Sequence, residues 1–212
     1  MTPIAVFASG RGSNFRSLVH HIQEGKLSCR IAVLISDNSR APALEFAREM
    51  GIPAQVIHPA QFPDAERFGE ALLSALQPRQ VRWIVLAGYL KKIPANLITH
   101  FPNRIVNIHP ALLPAFGGKG MYGMRVHQAV FDAGVQVTGV TIHLVNEDYD
   151  AGPIVWQEPV VIRDCRSPEE IARRVLAVEH RLYPQVLQWL VTRPHRVTGK
   201  RIQWNEAIYD PN

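Results

Sequence analysis

"IAVFASGRGSN", residues 4–14, decides the fold. Ile4 to Ala8 are apolar throughout and have the length of a buried strand. Gly10 and Gly12 then let the backbone turn tightly. Ser13 and Asn14 open a helical pattern, in which Phe15, Leu18, Val19 and Ile22 share one face. An apolar strand, a glycine turn and an amphipathic helix make the first unit of a parallel α/β sheet.

Working outward, the unit repeats. Ile31 to Ile35 reads as a second strand, and Ala43, Leu44, Ala47 and Met50 as a helix stopped by Gly51. Ala54 to Ile57 is a short third strand, and Phe68, Leu72 and Leu76 mark a third helix. Trp83 to Ala87 is a fourth strand, Pro94 fits the first turn of a short helix, and Ile105 to Ile108 is a fifth strand. Strands that are apolar without alternation belong to a parallel sheet covered on both faces. Val137 to Val145 alternates instead, and Ile154 to Val161 follows a polar turn, so antiparallel neighbours are expected there. A final helix runs from Ser167 to Leu190, with Ser167 as N-cap, Pro168 at the first position and Glu170 closing a capping box. The expected fold is α/β: a single doubly wound, mostly parallel twisted sheet flanked by helices. Its N-terminal half is Rossmann-like, and an antiparallel contribution comes late. Residues 1–190 form one domain, and residues 191–212, without a clear period, form a tail packed on it or extending from it.

The 212 residues are 47% apolar, enough for one core. Lys and Arg outnumber Asp and Glu by 23 to 18, a balance that favours anionic small molecules or nucleic acid. The cations are scattered, with no Lys/Arg block, so nucleic acid is not the expected partner. Cys29 and Cys165 lie far apart without metal-ligand spacing, which reads as two free thiols in a reducing compartment. No basic leader precedes Ile4, and runs such as Ile84 to Ala87 fall far short of the ~20 residues of a membrane span. A cytoplasmic protein with no membrane partner is expected.

In open α/β sheets ligands bind beyond the carboxyl ends of the strands. After strand one, Gly12, Ser13 and Asn14 offer an anion site at a helix N-terminus, or a plain turn with its cap. A dinucleotide fingerprint needs Gly or Ala where Phe15 stands, and a P-loop ending is absent, so a monophosphate suits better than NAD or ATP. After strand four, "GYLKKI", residues 88–93, is a pocket wall or an ordinary loop. After strand five, "NIHPALLP", residues 107–114, puts Asn107 and His109 on the same face of the strand. Pro110 keeps His109 extended. The imidazole could still do no more than cap the strand end.

"NEDYDAGPI", residues 146–154, sets Glu147, Asp148 and Asp150 on a turn, where such residues are common for backbone reasons alone. Near His109, a carboxylate would orient the ring and raise its pKa. Glu179 shares an apolar helical stripe with Ala172, Leu176 and Tyr183, and needs an Arg, a His or a ligand's amine or hydroxyl as partner. "FGGKGMYG", residues 116–123, is a lid or a passive excursion. There is no metal cluster, no G-x-S-x-G elbow and no cysteine signature. What remains is acid–base and oxyanion chemistry without a covalent intermediate. Acyl-type transfer to a phosphate-bearing acceptor fits, and a phosphate sensor without catalysis is the alternative.

The same residues carry a resemblance. "FASGRGSNF" at 7–15, "VLAGYLKKI" at 85–93, "RIVNIHPALLPAF" at 104–116, "VTGVTIHLVNEDYDAGPIV" at 137–155 and "EHRLYP" at 179–184 resemble, in order, the phosphoribosylglycinamide formyltransferases of the formyl-folate transferase superfamily. The resemblance implies transfer of the formyl group of 10-formyltetrahydrofolate, a co-substrate, to the amine of glycinamide ribonucleotide in purine synthesis. It implies direct attack through a tetrahedral intermediate, with Asn107, His109 and Asp150 as the catalytic trio. A protonated His109 and the Asn107 amide would steady the oxyanion, and Asp150 would assist proton transfer. Gly12, Ser13, Asn14 and Glu179 match the glycinamide ribonucleotide side. Leu90, Lys91, Lys92, Ile93, Asn107 and Asp148 match the folate pocket. No metal and no nucleic acid are implied, and the protein is expected as monomer or homodimer. Superfamily members acting on initiator methionyl-tRNA, or hydrolysing formyl-folate, are expected to carry a further domain. Two stretches depart from the family pattern: a longer loop, residues 116–127, that brings in His127, and a Lys91-Lys92 pair in place of arginine and an apolar residue.

Overall fold

The computed structural model describes residues 1–205. The elements run β1 (Thr2–Phe7), α1 (Ser13–Gln23), β2 (Cys29–Ser36), α2 (Pro42–Glu49), β3 (Ala54–Val56), α3 (Ala65–Leu76), β4 (Trp83–Leu86), α4 (Ala95–His100), β5 (Ile105–His109), α5 (Met124–Asp132), β6 (Val137–Leu144), β7 (Ile154–Val161), α6 (Pro168–Thr192), β8 (His195–Thr198) and β9 (Arg201–Trp204). Among the described residues the strands form one sheet of nine, in the order β3-β2-β1-β4-β5-β6-β7-β9-β8. β1 to β5 are mutually parallel, and β5–β6 and β6–β7 are antiparallel.

The apolar strands are buried on both faces, as their lack of alternation requires. Along β1, Ile4 and Val6 join the core under α1, α2, α5 and α6, while Ala5 and Phe7 join the core under α3 and α4. The chain steps outward from β1 to β3 and then returns to place β4 on the other side of β1. This reversal opens a crevice beyond the carboxyl ends of β1 and β4, where such sheets bind ligands.

Helix α6 crosses the sheet for 25 residues and tolerates Pro184 in its interior. Pro184 has no N–H to offer the His180 carbonyl one turn back. The Ser17 hydroxyl of α1 donates to that carbonyl instead, at 2.7 Å. The start of α6 differs in one detail from the expected capping box. Ser167 accepts from the Glu170 N–H, but the Glu170 carboxylate takes the N–H of Arg166 rather than that of Ser167. Pro94 likewise caps α4 from outside its first turn.

Two elements escape the sequence pattern. Helix α5 buries only Val126, His127 and Val130, too few positions to reveal a period after a run of glycines. The stretch after Arg193 forms a hairpin, β8–β9, whose edge meets β7 at Ile154 and Arg201. Its strands are four residues each, and Gly199 takes the left-handed conformation that so short a turn needs. Residues 206–212 of the expected tail lie outside the described residues. Among the described residues no helix is long and apolar enough to cross a membrane.

The turn between β6 and β7 is closed by the Leu144 N–H donating to the Pro153 carbonyl at 2.8 Å. Gly152 lies so close that a Cβ on it would sit 1.8 Å from the Leu144 oxygen. Glycine at this position is therefore set by a close backbone approach. We expect Gly152→Ala to cost about 2 kcal/mol, the usual scale of overpacking. For a chain of this size that is a fall in Tm of roughly 4–8 °C, read by calorimetry. Gly10→Ala, whose Cβ would meet nothing within 4 Å, should leave Tm unchanged.

Candidate active site

A cavity of about 600 Å³ opens beyond the ends of β1, β4 and β5 and is bounded by α6 and by the stretch leading into α5. Arg11, Ser13, Asn14 and Glu179 lie on one side of it, Leu90 to Ile93 and Asp148 on the other, and Asn107, His109, His143 and Asp150 between them.

Asn107 and His109 share a face of β5, the strand that passes from parallel to antiparallel pairing. The antiparallel register sets His143 of β6 directly opposite Asn107. The Asn107 amide Nδ2 is 3.1 Å from His143 Nε2, while His143 Nδ1 is 3.0 Å from the Leu144 carbonyl. That carbonyl can only accept, so Nδ1 is the donor, and Nε2 faces both the Asn107 amide and the Asp150 carboxylate. Asp150 completes the set: Oδ1 lies 3.5 Å from His143 Nε2, and Oδ2 lies 3.6 Å from His109 Nδ1. The residue holding this carboxylate adopts a left-handed backbone, φ 53°, in the turn after β6.

The loop that follows β5 reaches back to the same groups. His109 Nε2 donates to the Phe116 carbonyl at 2.8 Å, and the Gly118 N–H donates to Asp150 Oδ2 at 2.9 Å. Phe116 itself is left-handed, φ 55°, which turns its carbonyl towards the imidazole. Thr141, opposite His109, fixes the intervening chain by donating to the Ala111 carbonyl and accepting from the Leu113 N–H.

The electrostatics follow from burial. Burial alone would raise the Asp150 carboxyl, yet the hydrogen bond from His143, the charge of His109 and the Gly118 N–H together hold it below the usual range. Burial also holds the His109 imidazole below the ordinary histidine value, against the opposing pull of Asp150 and the Phe116 carbonyl. The carboxylate does pull the ring upward, as expected, but burial outweighs it and the net shift is downward. His127, brought in by α5, is also buried beside the cavity, and burial with the nearby His109 pushes it down to about 4.

On the opposite side, Gly12 is the N-cap of α1 in a left-handed conformation, φ 68°, and no side chain caps the helix. A Cβ there would lie 2.8 Å from the Ala43 Cβ, so glycine is needed for space as well as for φ. Asn14 donates to Glu179 Oε2 at 2.6 Å, tying the first helix to the last. Glu179 thus has an amide as partner rather than Arg or His. Burial pushes its carboxyl up to about 7, only partly offset by Asn14. One turn further along α6, the Tyr183 hydroxyl lies 2.9 Å from the Leu86 carbonyl and 3.0 Å from the Val106 carbonyl, spanning the ends of β4 and β5.

On the far wall, Ile93 is buried and Leu90 is exposed. Lys91 pairs with Asp37 at 3.6 Å, and Lys92 lies over the Tyr149 ring at 5.9 Å. Asp148 sits exposed on the turn that also carries Asp150. The structure gathers every catalytic and binding residue proposed from the sequence except Gly12 into the cavity lining. It adds His143, whose signal was a lone histidine within an otherwise apolar alternating strand. Among the described residues no group of three or more His, Cys, Asp or Glu is arranged to hold a metal ion.

Comparison with known proteins agrees with this geometry. The family described as "Formyl transferase" matches residues 2–187. The chain is 37% identical to the phosphoribosylglycinamide formyltransferase of Bacillus subtilis, covering 90% of this chain and 95% of that one. It is 42% identical to the chloroplastic phosphoribosylglycinamide formyltransferase of Arabidopsis thaliana, covering 96% of this chain and 68% of that longer protein. Among solved structures, glycinamide ribonucleotide transformylase 1 from Symbiobacterium toebii is 37% identical and superposes with a TM-score of 0.90, over 97% of this chain and 95% of that one. The chain is an enzyme of the formyl transferase family and belongs, within it, to the phosphoribosylglycinamide formyltransferases.

Proposed function

We propose that the protein transfers the formyl group of 10-formyltetrahydrofolate directly to the amine of glycinamide ribonucleotide, in purine biosynthesis. The observation that carries the reading is the convergence of Asn107, His109 and Asp150 on one cavity that has an anion-suited turn on one side and an apolar wall on the other. The α1 N-terminus, with Ser13 and Asn14, takes the substrate phosphate through its uncapped N–H groups. Glu179 takes a hydroxyl or amine of the same substrate. Leu90, Ile93 and Val145 offer an apolar surface to a flat pteridine ring, and Lys91, Lys92 and Asp148 lie around it. The free thiols Cys29 and Cys165 support a reducing compartment, the cytoplasm.

The amine attacks as the neutral base. Negative charge builds on the formyl oxygen and positive charge on the attacking nitrogen. Asn107 and His109 donate to the oxygen, each such donor being worth roughly a hundred- to a thousandfold in rate. Nε2 of His109 donates to the Phe116 carbonyl, and the formyl oxygen takes that carbonyl's place as acceptor, while Asp150 holds the Nδ1–H of the charged ring. A growing oxyanion favours the charged imidazole and so opposes the effect of burial. Asp150, held ionised, receives a proton from the nitrogen, directly or through water. The intermediate then collapses: the bond from the formyl carbon to N10 of the folate breaks, and N10 takes up that proton as tetrahydrofolate leaves.

His109→Ala should lower kcat by about a thousandfold or more while calorimetry still detects binding of glycinamide ribonucleotide. Loss of binding together with turnover would contradict the assigned role. Glu179 gives a second expectation. Its carboxyl titrates at about 7 when folded, against 4.5 as the ordinary value, so the folded state holds the proton more tightly than the unfolded chain. The Glu179 contribution to stability should fall as pH rises from about 4.5 through about 7, by about 3 kcal/mol, while the depressed His127 contributes in the opposite sense over the same range and is common to variant and wild type. Glu179→Gln keeps an acceptor for Asn14 and cannot ionise. It should be more stable than the wild type at pH 8, lose that advantage near pH 4.5, and bind glycinamide ribonucleotide less tightly. Urea unfolding at the two pH values checks the first part, and an unchanged difference between variant and wild type would refute it.

A further inference from the structure

The motif that begins the chain serves both sides of the cavity. Ser9 lies just before the Gly10–Gly12 turn, yet none of its hydrogen bonds goes to the phosphate side. Its hydroxyl donates to Asp37, which follows β2, and accepts from the Leu90 N–H at 2.9 Å. Its own N–H donates to the Gly88 carbonyl at 3.1 Å. Its carbonyl accepts from the Asn38 side chain at 3.2 Å. Every polar group of Ser9 is thus engaged, and two of the bonds fall on the loop after β4. Asp37 extends the same connection, because its second oxygen faces the Lys91 ammonium at 3.6 Å.

Ser9 and Asp37 are both buried, at 6% and 7% exposure. A buried carboxylate is costly unless it is hydrogen-bonded or paired, so this cluster needs its partners. Neither residue lines the cavity, whereas Leu90, Lys91 and Lys92 all do. The effect is to fix how that loop presents itself. With its N–H held inward on Ser9, Leu90 turns a half-exposed side chain to the cavity. With its ammonium drawn back to Asp37, Lys91 leaves Lys92 to face Tyr149 across the opening.

We infer that Ser9 and Asp37 are positioning residues for the formyl-folate half of the cavity, acting through the backbone of Leu90 and the ammonium of Lys91. The inference rests on the reading that this wall takes the folate. It separates the first turn into two tasks: Ser9 sets the folate loop, and Gly12 to Asn14 face the phosphate.

Steady-state kinetics with each substrate varied in turn, on the full chain, tests this. Ser9→Ala leaves the part-buried Leu90 N–H without its acceptor and should raise KM for 10-formyltetrahydrofolate about tenfold. KM for glycinamide ribonucleotide should stay within about twofold of wild type. Asp37→Asn keeps an acceptor for the Ser9 hydroxyl and removes the charge facing Lys91. It should raise the folate KM by about threefold, and it provides the test if Ser9→Ala does not fold. Calorimetric titration with tetrahydrofolate should show the same ranking of Kd without any requirement for turnover. Equal movement of both KM values, or a lowered Tm with both unchanged, would overturn the assignment. Wild-type protein that binds tetrahydrofolate but forms no formylated product would overturn the formyl-transfer reading and leave the positioning role to be decided by the titration.

Discussion

Asp150 is a mostly buried carboxylate kept ionised by what surrounds it: two imidazoles at 3.5 and 3.6 Å and one backbone N–H at 2.9 Å. Each partner comes from a different part of the chain. His109 ends β5, His143 lies on the neighbouring strand, and Gly118 belongs to the loop between β5 and α5. Taking a carboxylate out of water is affordable only when such partners are already in place, so the position of Asp150 depends on the register of β5 against β6. That register sets Asn107 opposite His143 and His109 opposite Thr141. A slip of one residue would turn His143 to the other face of the sheet and remove a partner from Asp150 and from Asn107. The catalytic trio of the proposed reaction is therefore a property of one antiparallel strand pair and the turn after it, where the parallel half of the sheet gives way to antiparallel pairing.

The opposite side of the cavity follows a similar logic across a longer span. Asn14 and Glu179 are 165 residues apart and bonded at 2.6 Å. Their pairing holds the N-terminus of α1 against α6. Glu179 has one neutral partner, and burial makes its ionised form costly, raising its carboxyl to about 7. A group in that condition gains more from an arriving hydroxyl or amine than one already well solvated. In the proposed reaction, stability given up at Glu179 in the free protein reappears as selectivity for the substrate's hydroxyl or amine, a common relation at functional sites.

Much of this was legible in the sequence, and the reasons are specific. The N-terminal half reads clearly because its strands are apolar on both faces and are punctuated by glycine. The pairing of Asn107 with His109 on one face needs only the two-residue period of a strand. Asp150 and Glu179 stand out as carboxylates in positions that demand partners. What the sequence hid was contact across strands and between distant helices. His143 becomes a neighbour of Asn107 only through antiparallel register, which no local period encodes. Asn14 as the partner of Glu179 requires knowing that α1 and α6 touch. Helix α5 and the β8–β9 hairpin are too short, with too few buried positions, to generate a readable period. The downward shift of the His109 pKa reflects the depth of burial, and depth is a property of the whole fold.

The central claim is direct transfer, with the chain's own groups steadying charge and forming no bond to the formyl carbon. Intact-protein mass spectrometry tests it most directly. The protein is incubated with 10-formyltetrahydrofolate alone, and glycinamide ribonucleotide is added afterwards. The account predicts no formyl adduct on the protein at any time, with formylated ribonucleotide appearing only once both substrates are present. A formyl adduct that forms with the folate alone and disappears as product forms would contradict it.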